Sequence, residues 1–138
     1  MAGPDPSAIN PARAFRGRSA RRLGIKAEHI AERFLRAQGL EILHRNFRRR
    51  LGELDLVARH ASELVIVEVR TRSSERFGGA AASIDSRKRQ RVVRATQLLL
   101  QRHKELAGMR LRFDVAIVYN VHSTAPRVEW LRAAFLAS

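Results

Sequence analysis

GELDLVARHASELVIVEVRTR, residues 52–72, is the stretch that decides the fold. It divides into two short strand-like runs joined by a turn. Residues 53–59 alternate, with Glu53, Asp55, Val57 and Arg59 on one face and Leu54, Leu56 and Ala58 on the other. Residues 64–70 are almost wholly apolar (Leu64, Val65, Ile66, Val67, Val69), interrupted by Glu68 and Arg70. A strand buried on both faces has this composition, and its β-branched residues favour strand over helix. Period-two geometry puts Leu64, Ile66, Glu68 and Arg70 on one side, so a carboxylate and a guanidinium share a face inside an apolar strand. His60 to Glu63 suit a hairpin, which lays Asp55 near Glu68. A buried charge must be paired, bound to metal or neutralised. The structural reading is that Glu68 and Arg70 neutralise each other and that Glu53 and Asp55 form the polar side of an edge strand. Three carboxylates converging with a cation, in a strongly basic chain, point instead to a site.

Working outward, the 138 residues amount to one domain with room for a substantial core, and 45% of them are hydrophobic. Lys and Arg number 27 against 13 Asp and Glu, a formal charge of +14 carried mostly by Arg. Such an excess favours polyanions: nucleic acid first, anionic membrane second, acidic protein third. There is no cysteine, which excludes disulfides, zinc–thiolate sites, iron–sulfur clusters and cysteine nucleophiles. The five histidines form no HxxxH or HxH pair. No apolar run reaches the ~20 residues of a membrane helix, and no apolar signal-peptide core stands at the start. A cytoplasmic protein without membrane contact is expected.

Residues 1–18, with Pro4, Pro6 and Pro11, read as a flexible basic tail, and residues 19–138 as the single domain. A helix from Ser19 carries Leu23, Ala27, Ile30, Ala31, Phe34 and Leu35 at helical spacing and stops at Gly39. Glu28 lies at the edge of that stripe, where it can pair with Arg21, Arg22 or Lys26 or project toward the sheet. Residues 40–50 form a strand ending in Arg48-Arg49-Arg50, which leads into the Glu53/Asp55 strand. A polar loop, residues 71–82, holds Arg72, Arg76, Phe77, Gly78 and Gly79, too little for a phosphate cradle. Asp85 or Ser86 caps a second helix running to about His103. Its first turns carry Arg87, Lys88, Arg89, Arg91 and Arg94, where the macrodipole disfavours cations and an anionic ligand would offset that. Residues 111–119 and 127–131 give two more strands; Asp114 is placed to pair with a neighbouring Arg, a catalytic role being the weaker option. The order αβββαββ predicts an α/β fold, a central mixed β-sheet flanked by helices.

Phosphodiester hydrolysis needs a divalent cation, carboxylates to hold it and a positive side chain for the charge that develops on the phosphoryl oxygens. Magnesium is usually held by one or two carboxylates plus waters and substrate phosphate. Asp55 and Glu68 supply that count for Mg²⁺ or Mn²⁺, Glu28 adds a third ligand, direct or through water, and Arg70 meets the phosphate. Arg48, Arg49, Arg50, Arg72, Arg87, Lys88 and Arg91 form the expected nucleic-acid contact.

Asp55, then a hairpin, then Glu68-Val69-Arg70 resembles the PD-(D/E)XK nuclease pattern, with arginine replacing the usual final lysine. The chain more closely resembles the YraN family of uncharacterised bacterial proteins, which is similar in fold to archaeal Holliday junction resolvases. The resemblance runs through Gly24, Ala27-Glu28, Ala31, Arg45-Asn46-Phe47, Gly52-Glu53-Leu54-Asp55, Val67-Glu68-Val69 and Thr71-Arg72. It continues at Phe77-Gly78, Lys88, Arg112-Phe113-Asp114-Val115 and Arg132 to Phe135, covering roughly residues 20–136. It implies a restriction-endonuclease-like core with Asp55 and Glu68 as metal ligands, Glu28 as accessory acid and position 70 as the catalytic cation. Arginine stays charged and is a poor general base. Lys88 reads as a phosphate contact or solvated cation, the alternative being a lysine supplied to the site from outside the strand. The expected function is a metal-dependent nuclease acting on DNA, branched DNA included. The alternatives are an inactive nucleic-acid-binding module of the same fold and a basic adaptor for an acidic protein. A homodimer would let two sites address two strands.

Overall fold

The computed structural model describes residues 11–73 and 84–137. Helix α1 spans Pro11–Ala37, strand β1 Glu41–Arg49, β2 Gly52–His60 and β3 Glu63–Arg72. Helix α2 (Ser86–Arg102) follows, then a single 3₁₀ turn at Lys104–Leu106, β4 (Arg110–Tyr119) and β5 (Arg127–Phe135). The expected order of elements is the observed one. Helix α1 starts at Pro11 rather than Ser19, so residues 11–18 of the expected tail are helical; residues 1–10 lie outside the described residues, as do Arg76 and Phe77-Gly78-Gly79.

The strands lie in the order β1-β2-β3-β4-β5, with β3 and β4 parallel and the other neighbours antiparallel. The parallel pair requires a crossover, and α2 supplies it. Helix α1 covers one face, burying Ala27, Ala31 and Leu35 against Leu56, Ala58, Val65, Val67, Ala116 and Val118. Helix α2 covers the other, burying Val92, Ala95 and Leu99 against Leu54, Val57, Leu64, Ile66, Val115 and Ile117. With both faces covered, β3 must be apolar on both sides, which explains the run Leu64–Val67. This α/β arrangement, a five-stranded mixed sheet between two helices, is consistent with a restriction-endonuclease-like fold.

The ends of the elements are chemically specified. Helix α1 closes on Gly39 at φ 95°, with Gly39 N–H bonded to Arg36 O and Leu40 N–H to Leu35 O. That pair of bonds needs a left-handed residue, which glycine adopts without strain. Helix α2 opens on Asp85, whose carboxylate accepts the Lys88 N–H at 2.8 Å. The β2–β3 hairpin turns through Ala61 and Ser62, between the paired residues His60 and Glu63.

The alternation expected along β2 holds only in part. Leu56 and Ala58 face α1, but Leu54 packs with the α2-side core. The reason lies at Gly52: a Cβ there would stand 2.2 Å from the Arg91 carbonyl oxygen of α2. Strand and helix backbones meet at this point, which turns the start of β2 toward α2 and takes Leu54 with it.

Candidate functional site

The site forms where the sheet splits. Residues Gly52 and Glu53 of β2 pair with Arg49 and Arg48 of β1, but the last pair between β2 and β3 is Leu56 with Val67. Beyond that pair β3 stays bonded to β4 through Glu68–Val115 and Arg70–Ile117. The two halves of the sheet therefore part, and Asp55 and Glu68 stand at the parting. A side chain closes the gap: Asp55 Oδ2 accepts the Val69 N–H at 2.8 Å, in place of a main-chain acceptor. Asp55 is thereby oriented beside Glu68 by a bond from the neighbouring strand.

Glu68 follows Leu64 and Ile66 on the α2 side of β3 and is only 2% exposed. Neither of its carboxylate oxygens has a hydrogen-bonding partner. Lys88 Nζ, reaching in from the first turn of α2, lies 3.5 Å from Glu68 Oε2. Burial first and the Asp55 charge second push the Glu68 carboxyl well above its ordinary range, with Lys88 pulling the other way. Burial also raises Asp55, against the Val69 N–H and Lys88. A carboxylate this deep, with an ion-pair contact but no hydrogen bond, is costly unless something more binds it.

Glu28 takes the second of its two expected courses. It projects from half-buried α1 toward the sheet; burial and then the Asp55 charge raise its pKa, while the Asn46 side chain favours its ionised form. Asn46 itself has φ 50° and lies between the β1–β2 pairs Arg45–Leu56 and Phe47–Leu54, level with Asp55. Asparagine tolerates that left-handed conformation better than most residues. Among the described residues, no three His, Cys, Asp or Glu side chains are grouped closely enough to hold a metal ion as they stand. The acid pair Asp55/Glu68 is thus the nucleus, with Glu28 flanking it.

Arg70 lies two residues beyond Glu68 on β3, half-buried. Burial, then Arg72, lower its pKa, and Asp85 and Glu68 act oppositely. Of the other expected contacts, Arg87 and Arg91 are exposed on α2 and Arg50 is exposed after β1. Arg48 pairs with Glu53 at 3.7 Å, Arg49 stacks on Phe47 at 4.2 Å, and Arg72 bonds the Thr71 carbonyl at 2.6 Å. Asp114 is structural: fully buried, it accepts two bonds from Arg112, one from Trp130 Nε1 and one from the Ala133 N–H. It lies on the α1 side of β4, the opposite side from Glu68.

Sequence reasoning did not single out Asn46 or Gly52 for their backbone roles, and it gave Lys88 its inward role only as the alternative. A lone Asn inside a basic strand and a Gly at a strand start were the available signals. For Lys88 the signal was composition, three lysines against 24 arginines.

Residues 27–118 match the family model described as "Uncharacterised protein family UPF0102". A UPF0102 protein of Hahella chejuensis is 50% identical over 113 residues, covering 82% of this chain and 89% of its own. One from Methylobacillus flagellatus is 44% identical over 117 residues, covering 85% and 99%. One from Bordetella avium is 50% identical over 112 residues, covering 81% and 73%.

Proposed function

The chain belongs to the uncharacterised protein family UPF0102, and from its acid site we propose that it is a metal-dependent nuclease-like protein that hydrolyses phosphodiesters in DNA. The observation that carries this is Glu68: a buried carboxylate with two bare oxygens, beside Asp55 and within ion-pair range of an ammonium. A hard divalent cation suits such a donor set, since Mg²⁺ or Mn²⁺ takes one or two carboxylates and completes its shell with water and phosphate. Asp55 and Glu68 would hold it, and it would supply a Lewis acid that lowers the pKa of a water. Glu28, flanking the pair, would add a third acidic group, direct or through water.

The chain's own residues do the rest. The Val69 N–H holds Asp55 in one orientation. Arg70 and Lys88 bring positive charge to the side where a phosphoryl group gains negative charge. Hydrolysis joins a water oxygen to phosphorus and breaks the phosphorus bond to the leaving ester oxygen. The water gives up a proton to solvent and the leaving oxygen takes one, while a fixed cation offsets the charge on the phosphoryl oxygens. Exposed Arg87 and Arg91 continue the cationic surface from the site along α2. The resemblance to PD-(D/E)XK nucleases and the YraN family agrees with this set of roles. Clefts of about 400 Å³ on the outer face of α2 and about 370 Å³ beside α1 are lined by neither acid.

The test is calorimetry with Mg²⁺ and Mn²⁺, followed by cleavage assays on linear, flapped and four-way DNA. Asp55→Ala and Glu68→Ala should each lose cation binding and at least ~100-fold in cleavage rate. Cleavage unchanged in both variants would end this proposal. Cation-independent DNA binding without cleavage would instead support the second reading, an inactive nucleic-acid-binding module of the same fold.

A further inference from the structure

We infer that Lys88 is a positioning residue, the resident counter-ion of the acid pair, which holds Glu68 until a divalent cation displaces it. This rests on the acid pair being a cation site, the reading given above. Lys88 Nζ stands 3.5 Å from the buried carboxylate, the Asp55 carboxyl lies beside it, and neither Glu68 oxygen accepts a hydrogen bond. An incoming ion competes for those same oxygens. The Lys88 side chain is 36% exposed, so its ammonium has a way out to solvent and to a phosphate at the rim.

Its backbone is anchored while its head is partly exposed. The Lys88 N–H is fixed to the Asp85 cap at 2.8 Å, and α2 rests on the glycine at position 52. The residue type fits displacement as well. The chain has three lysines and 24 arginines, and Arg87 and Arg89 flank this one. A guanidinium grips a carboxylate through two parallel bonds, whereas an ammonium is a point charge on a flexible stem. Arginine at this position would hold Glu68 against the ion; lysine yields.

The experiment titrates the full chain with MnCl₂ alone by calorimetry, for wild type, Lys88→Met, Lys88→Arg and Glu68→Gln, with melting curves taken with and without the ion. Lys88→Met should bind Mn²⁺ roughly fivefold more tightly, the equivalent of about 1 kcal/mol of competition removed. Lys88→Arg should bind several-fold more weakly. Without the ion Lys88→Met should melt below wild type, and saturating Mn²⁺ should close the gap. Equal or weaker Mn²⁺ binding by Lys88→Met overturns the inference, and so does unweakened binding by Lys88→Arg, even if the methionine variant fails to fold. Wild-type binding no stronger than that of Glu68→Gln overturns the cation-site reading itself.

Discussion

Glu68 sits where its ionised form is disfavoured, and stability should record that. Burial and Asp55 raise its folded pKa above the unfolded value. The folded chain therefore holds the proton more tightly, a contribution complete below the ordinary carboxylate range and lost as pH rises through the raised value. At about pH 8, where ionisation is most costly, Glu68→Gln should raise the cation-free melting midpoint by about 2–5 °C. The advantage should shrink toward pH 4, the ordinary carboxylate range, where wild-type Glu68 is also protonated. Melting curves across that range check both the sign and the trend, and a midpoint lowered throughout would contradict it. The same variant should lose divalent-ion binding, because function and stability make opposite demands on one carboxylate. The acids were legible from strand periodicity, since parity alone puts Glu68 and Arg70 on a shared face. The Lys88 partnership was not, because it depends on how α2 docks, and docking is set by contacts far apart in sequence.

Packing between elements rests on two places that admit little change. At Gly52 the β2 and α2 backbones touch, and Gly52→Ala should cost about 2–3 kcal/mol as the helix is pushed off the strand. Chemical denaturation measures the loss, and Mn²⁺ affinity should change with it, because Lys88 rides on that helix. Across β4 and β5, Asp114 satisfies the extra residues of β5 where the register shifts between Phe113 and Val115. Removing its carboxylate takes two of the hydrogen bonds from a nearly buried Arg112 and leaves it against Glu63 and His60, so Asp114→Ala should cost about 3–5 kcal/mol by the same measurement. The order of elements and the mixed sheet were readable because apolar runs, caps and turn residues agree. Two details were not. The early start of α1 lacks apolar periodicity, and the alternation of β2 is broken by a glycine whose neighbour lies about forty residues on.

Over the whole molecule, positive charge is spread rather than confined to the acid site. Arg22, Lys26, His29, Arg33 and Arg36 are exposed along α1, and Arg36 and Arg45 both pair with Glu32. Binding to duplex DNA should weaken steeply with salt, and reversing Arg87 and Arg91 to Glu should lower the log–log salt slope by about 2. Fluorescence anisotropy over a salt series reads this; an unchanged slope would remove α2 from the contact surface. Among the described residues no helix is long and apolar enough to cross a membrane. Among the described residues β1 is an edge strand of the sheet, and it carries Arg45, Arg48 and Arg49. Charged side chains along an edge strand disfavour pairing with the edge of a second copy, and the arginines of β1 are of that kind although Arg45 and Arg48 also have acidic partners. A polyphosphate that neutralises those arginines should therefore promote clumping of the chain, which light scattering would read.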